Sequence, residues 1–488
     1  MRNTFLMLSA AGLAIVPTAA SSQSSYRSLP VRYVQEAQQQ HAALVTQFGG
    51  AETGARAAYV DGIGRRMAVQ SGVNPQLFRF TTLNSAVENA FAVPGGYIYI
   101  TRQLMGIMND EAELAFVVGH EVGHVAANHA QQREAATTRG TLASVLGAVL
   151  GSVLGGGFGN ILSQGVQQFA QFRVLSFSRQ QEYEADQLGI RYLARTGYDP
   201  NASASMLAAL GRSTALEARV QGRDSRSTPE WAQTHPNSES RVRQAAGLAQ
   251  QTGLAGRGVR NRDQFLNQLD GITVDDDPEQ GVIDGRTFTH PDLRLQFTVP
   301  VGYLMQNGTD AVTIAGSAGK AQFTTGRFNG NLDTYISSEL QQLTGGRTQL
   351  QLIDRNRTTI NGLPASYVLA RANTSSGAVD VGIFAYAFSP TQAYHFVTLS
   401  QAGRGIGPFG SMVNSLRRIS AAEGAAIRPR VIDVVIVRPG ETVQSLSSRM
   451  AYRNFQVDRF LSLNGLPAGA RLVPGQRVKL VVYGTRTR

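Results

Sequence analysis

A chain of 488 residues exceeds one ordinary domain and predicts about two to four of them. With 42% hydrophobic and 16% charged residues the composition is that of a folded soluble protein, and a net charge of +11 favours anionic partners such as lipid head groups or cell-wall polymers. No Lys/Arg-rich block with interleaved aromatics appears, which argues against nucleic acid, and the lack of cysteine excludes disulfides and thiolate metal sites.

The first residues, "MRNTFLMLSAAGLAIVPTAASSQS", place Arg2 before an apolar run from Phe5 to Val16, followed by Pro17 and small residues. This is the layout of a secretory signal spanning residues 1–20, with cleavage expected after Ala20. The run is too short to span a bilayer. No cysteine follows it, so no lipid anchor is available, and the mature protein is expected outside the cytoplasm. Val31 to Phe48 and Ala51 to Gln70 then carry helical apolar spacing. "FRFTTLNSAVENAFAVPGGYIYITRQLM" alternates like strands around a Pro94-Gly95-Gly96 turn. Within it, Asn89, Ala90, Phe91, Ala92 and Val93 read either as an edge strand that could hold an extended substrate by backbone pairing or as an ordinary core hairpin. A long helix is predicted from Asp110 to about Ala136, with acidic residues at its start.

Gly140 to Phe172 contains no charged residue, and Gly147, Gly151 and Gly155 recur every four positions. A compact helical hairpin in contact with membrane or a partner is expected there. Helices follow at Ser178 to Ala194, Ala202 to about Ala218, and from Arg241. The acidic, turn-rich "DDDPEQGVIDG" and the segment "AAEGAAIRPR" read as linkers, bounding a strand-rich α+β module at residues 283–420 with a helix near Leu332 to Leu343. Its role is not legible from its residues.

The chemistry concentrates in "VVGHEVGHVAANH". On a helix, residues four apart share a face, so His120 and His124 can turn two imidazoles to one ion. Glu121 stands where it can reach a water on that ion without displacing it. This is the H-E-x-x-H pattern of metallopeptidases. His129 falls about half a turn from His120 on a continuous helix and reads as a non-ligand. "SFSRQQEYEADQLG" offers Glu182 as third ligand, with Asp186 one turn on to accept the spare N–H of a ligating histidine. Glu184 competes with Glu182 but points some 200° away on the wheel.

H-E-x-x-H followed by S-R-x-x-E-x-x-A-D, here Ser178 to Asp186, resembles the zinc metallopeptidases of the CAAX prenyl endopeptidase family, metallopeptidase family forty-eight. The closest likeness is to its exported bacterial branch. "THPNSESRV" resembles that family's T-H-P-x-x-x-x-R segment, which marks His235 and Arg241. The resemblance covers about Tyr26 to Thr252 and places the peptidase domain at residues 26–255. It implies one zinc per chain held by His120, His124 and Glu182, with Glu121 as general base. His235 would either stabilise the oxyanion or cap the metal, and Arg241 would either hold that loop or be a plain surface residue. Protein substrates of the cell envelope and a periplasmic location follow from the same resemblance.

The final stretch, with Pro439-Gly440-Glu441-Thr442, Leu463-Asn464-Gly465-Leu466 and Leu472-Val473-Pro474-Gly475-Gln476, resembles a LysM module, a small β-α-α-β fold that binds peptidoglycan. It occupies residues 431–484 and is expected as a wall tether that takes no part in chemistry. The expected architecture is therefore α+β: a mainly helical peptidase domain with a small sheet, an α+β accessory module and the LysM-like unit. The expected function is secreted zinc-dependent proteolysis. Competing readings are an assembly scaffold with a capped zinc site and a peptidoglycan-binding structural protein.

Overall fold

The computed structural model describes residues 26–136, 177–221, 235, 239–344, 350–374 and 377–485. The expected leader at 1–20 and the uncharged glycine-rich hairpin at 140–172 lie outside the described residues.

The N-terminal half is helical around one small sheet. Helices α1 (Val31–Gln47) and α2 (Ala55–Val69) precede strands β1 (Arg79–Leu83), β2 (Ala90–Val93) and β3 (Tyr97–Thr101). β3 is central, parallel to β1 and antiparallel to β2, so β2 is an edge. In the turn between β2 and β3, Gly95 and Gly96 have φ of 105° and 89°, and a Cβ on either would lie under 3 Å from backbone atoms. Only glycine satisfies both conditions.

Helix α3 (Arg102–Ile107) follows β3 directly. α4 (Glu111–Ala126) then opens on Asp110, whose carboxylate accepts the Glu113 N–H at 3.0 Å. Every residue from Glu111 to Val125 is buried, so α4 is the central rod of this half. The single helix expected to reach Ala136 is in fact two. Asn128 adopts a left-handed φ of 57°, which few residues other than glycine tolerate, and α5 (His129–Ala136) leaves in a new direction.

α6 (Arg179–Arg195) starts on a reciprocal cap between Ser178 and Gln181. It packs closely along α4 at the glycines of both helices. A Cβ on Gly123 would meet Ala185 O at 3.3 Å, and one on Gly189 would meet the His120 backbone at 3.1 Å. This close approach brings the acidic face of α6 onto the histidines of α4. α7 (Ala202–Val220), α8 (Glu239–Gln251) and α9 (Arg262–Leu269) complete the helical layer, and β4 (Thr273–Val274) follows.

The middle of the chain is strand-rich, as its alternation predicted. It contains β5 (Val282–Asp284), β6 (Thr287–His290), β7 (Leu295–Thr298), β8 (Leu304–Asn307), β9 (Val312–Gly316), β10 (Gly319–Thr325), α10 (Leu332–Thr344), β11 (Leu350–Ile360), β12 (Leu363–Thr374), β13 (Gly377–Ser389), β14 (Gln392–Gln401), α11 (Gly410–Ser415) and β15 (Arg417–Arg418). β8 to β14 form one antiparallel sheet in the order β11-β12-β13-β14-β10-β9-β8. α10 covers one face through Tyr335, Ile336 and Leu343, and Phe297, Phe409 and Met412 pack on the other. The expected second linker is partly helical, α12 (Ala421–Ala426), capped by Ser420 and Glu423.

β16 (Arg430–Ile436), α13 (Val443–Ser447), α14 (Gln456–Leu463) and β17 (Arg477–Tyr483) follow the expected β-α-α-β order. They pack directly on the peptidase half. β16 also pairs with β4, giving the sheet β17-β16-β4. Ile432, Phe460, Val478 and Leu480 belong to one continuous core with Met108, Leu114, Phe265 and Leu269. The fold is thus α+β, and among the described residues no helix is long and apolar enough to cross a membrane.

Candidate metal centre

Four of the seven histidines meet at the α4–α6 contact. His120 Nε2 and His124 Nε2, one turn apart on α4, lie 3.0 Å from each other. From α6, Glu182 brings Oε1 to 3.6 Å from His124 Nε2 and Oε2 to 3.6 Å from His120 Nε2. His235 comes from the segment before α8, with Nδ1 3.0 Å from Glu182 Oε1 and 3.4 Å from His120 Nε2. Its sequence neighbours Thr234 and Pro236 lie outside the described residues. All four side chains are buried, and one ligand atom from each lies within 4.8 Å of every other.

Two further residues hold the cluster from α6 and α8. Asp186 Oδ1 stands 3.0 Å from His120 Nδ1, the position read from its one-turn offset. Arg241 is buried rather than on the surface. It donates to both oxygens of Asp186, at 2.8 and 2.7 Å, and its Nη1 lies 2.7 Å from Glu182 Oε2. A planar guanidinium suits this double grip.

Residues 54–249 match the family model described as "Peptidase family M48", and residues 435–481 match that of the LysM domain. Beta-barrel assembly-enhancing protease of Escherichia coli is 32% identical over 199 residues, covering 40% of this chain and 39% of that protein. The same-named protein of Yersinia pestis is 31% identical over 198 residues, covering 40% of this chain and 39% of its own length. Mitochondrial metalloendopeptidase OMA1 of Arabidopsis thaliana is 32% identical over 159 residues, 33% of this chain and 29% of that one. Residues 54–249 are a peptidase family M48 domain. The chain spans about two fifths of the length of the first of these relatives.

In the M48 domain the donor set fits a metal. Ligands at about 2.0–2.1 Å from a tetrahedral zinc stand roughly 3.3 Å apart; His120–His124, His124–Glu182, His235–Glu182 and His120–His235 run from 3.0 to 3.6 Å, and the whole set lies within 4.8 Å. The donor chemistry agrees, since two imidazoles and a carboxylate converge in a buried site, a set that zinc accepts. Burial, reinforced by the neighbouring histidines, pushes His124 well below its ordinary value and keeps its imidazole neutral, as a ligand must be. Burial opposes ionisation of Glu182, but His235 and Arg241 outweigh it and hold the carboxylate below its usual range.

Glu121 behaves differently. Burial raises its pKa despite His235 and His120. His235 Nε2 stands 3.7 Å from Oε1 and the Ala92 backbone N–H is near, but neither carboxyl oxygen makes a full hydrogen bond. A buried carboxyl with spare acceptor capacity beside a metal cluster is suited to moving a proton.

The β2 edge thus lies near this carboxyl, and residues 89–93 belong to an edge strand that is also part of the core. Phe91 points into the core against Phe48 and Tyr99, and Ala90 and Val93 are also buried. Asn89 is buried too and exchanges three hydrogen bonds with Thr101. The strand is a core element on one edge and faces Glu121 on the other.

His129 and Glu184 were not legible as partners. His129 is outside the ligand set, as expected, yet its Nδ1 lies 2.9 Å from His124 Nδ1 and its Nε2 lies 3.2 Å from Glu184 Oε2. The Asn128 break returns the chain to His124, which a continuous helix would not do. Phe177 stacks on His124 with ring centroids 3.9 Å apart.

Proposed function

We propose that this chain is an exported zinc-dependent endopeptidase of the periplasm that cleaves envelope proteins, with one zinc per chain held by His120, His124 and Glu182. The observation that carries the reading is the placement of Glu121, a buried carboxyl with spare lone pairs beside three converging ligands. Zinc, when bound, supplies a water acidified towards a pKa of about 7 and a Lewis acid for the scissile carbonyl. Glu121 takes the proton of the attacking water and returns it to the leaving amine. Asp186 and Arg241 fix the orientations of His120 and Glu182. β2 receives the substrate as an added strand, next to Ala92 and the base. His235, against Glu182 and His120 in this conformation, would cap the metal at rest or donate to the oxyanion during turnover.

Names of relatives support an envelope substrate, since two of them are called assembly-enhancing proteases of β-barrels. The LysM domain supports peptidoglycan as a further partner. The approach of His235 to Glu182 and His120 favours one competing reading, a scaffold with a capped site. Cleavage of casein by the purified chain decides between them. Chelation should abolish cleavage and added zinc restore it. Glu121→Gln should keep one zinc by elemental analysis and lose turnover by roughly 10²–10⁴. Near-normal turnover in that variant would place the base elsewhere. A zinc-loaded wild type that cleaves nothing would favour the scaffold.

A further inference from the structure

Only two of the 45 basic residues are lysines, and one of them, Lys479, is fully buried between the LysM domain and the peptidase. It lies on β17. Its ammonium donates to the carbonyls of Gly106 at 2.8 Å and Met108 at 2.5 Å. On its own side it is fixed by Asn464, which accepts the Lys479 N–H at 2.7 Å and donates to the Lys479 carbonyl at 2.9 Å. Desolvating an ammonium is costly, and burial pushes this one down to about 7 against the pull of Glu113 and Asp110, with Arg262 and Arg212 also near. A compact ammonium with three donors can bridge two adjacent carbonyls, whereas a planar guanidinium presents a wider fork. That is a physical reason for lysine here in a chain that otherwise uses arginine.

The two carbonyls sit at a specific joint. β3 runs straight into α3, and the turn from Gly106 to Met108 leads into α4. The sheet carries β2, and α4 carries His120, Glu121 and His124. The turn therefore sets how the β2 edge, with the Ala92 N–H near Glu121, meets the proton-transfer carboxyl. Asp110 with Arg260, and Glu111 with Tyr59 and Tyr198, hold the start of α4 from within the peptidase. Lys479 is the clamp on that turn from the LysM side.

We propose that Lys479 is a positioning residue of the peptidase centre: from the LysM domain it clamps the α3–α4 turn and so sets Glu121 against the β2 edge. The inference rests on the reading that Glu121 and β2 serve peptide hydrolysis. It makes the LysM domain part of the active-site scaffold.

The test uses the full chain. Lys479→Met keeps length and packing and removes the donors. It should stay folded by circular dichroism and retain one zinc, while kcat falls between about tenfold and a hundredfold with KM little changed, as expected for a misplaced reacting group. Faster hydrogen exchange at residues 106–113 should accompany it. The chain has no cysteine, so Lys479→Cys, alkylated in denaturant with bromoethylamine and refolded, rebuilds a lysine isostere at one site. Recovery of kcat by the aminoethylated protein, and not by the unmodified cysteine variant, supports positioning by the ammonium. Wild-type kcat in folded, zinc-loaded Lys479→Met overturns it, as does equal activity of the two cysteine forms. Should Lys479→Met not fold, the comparison of the cysteine forms decides alone, and failure of the aminoethylated form to outperform the unmodified one counts against the proposal. Wild-type protein that cleaves casein, beside inactive Glu121→Gln, shows that the underlying reading stands whatever Lys479 does.

Discussion

At the residue scale the centre is organised in two rings, and the outer ring differs between the two histidines of α4. His120 is oriented by a carboxylate, Asp186, itself held by Arg241. His124 is oriented by another histidine, His129, backed by Glu184, whose side chain is half exposed. Partners of this kind fix the tautomer and angle of a ligating imidazole, and their loss typically costs 10–100-fold in metal affinity. His129→Ala should therefore retain the fold and lose zinc to a competing chelator at about 10–100-fold lower chelator concentration than wild type. Unchanged zinc retention in a titration with the chelator would reduce His129 to a packing residue. The inner ring was legible in the sequence because its spacing is local: four residues on one helix place His120 and His124 together whatever surrounds them. His129 and Glu184 were not, because their meeting depends on a backbone break and on the approach of a second helix.

That break belongs to the element scale. α4 and α5 carry one helical pattern across Ala127 and Asn128, and periodicity alone joins them. The left-handed Asn128 separates them, since asparagine accepts that conformation at lower cost than most side chains. Asn128→Gly should be nearly neutral. Asn128→Val should destabilise by roughly 1–2 kcal/mol and loosen zinc as well, because it moves His129 away from His124. Thermal melting of the two variants side by side gives the first outcome, and equal melting temperatures would show that the turn carries no strain. Strand β2 shows a related limit. Its alternation predicted a strand, but edge and core strands share that pattern, and only the pairing order left its outer edge facing Glu121. Gly123 and Gly189 read as ordinary helix glycines until the two helices are seen almost in contact.

At the scale of the whole molecule, the LysM domain was legible as a unit but not as a neighbour. Its turns and its β-α-α-β order are local signals. Apolar residues on β16 and β17 say only that they are buried, and a small domain's own core explains them as well as a docked face does. The structure gives them to a shared core: Ile432, Val478 and Leu480 join Phe265, Leu266, Leu269 and Ile272 from the peptidase side. Among the described residues β16 is the sheet partner of β4. Arg477 donates to the carbonyl of Asp263 and the side chain of Asn267, and Asp270 accepts the Val434 N–H. A chain ending at residue 429 would expose that apolar surface, leave β4 unpaired and strip the α3–α4 turn of its ammonium. Fully burying one large apolar side chain is worth about 1.5–3 kcal/mol, and a domain's whole stability is about 5–15 kcal/mol. Uncovering several such side chains at once consumes much of that margin. Residues 1–429 should therefore melt at least 10 °C below the full chain or aggregate on expression, and lose casein cleavage together with any sedimentation with peptidoglycan. A simple wall tether predicts the opposite pattern, with sedimentation lost and cleavage intact. Melting curves and casein turnover of the two proteins at equal concentration separate the outcomes, and a truncated chain that keeps both its melting temperature and its kcat would return the LysM domain to the role of a tether.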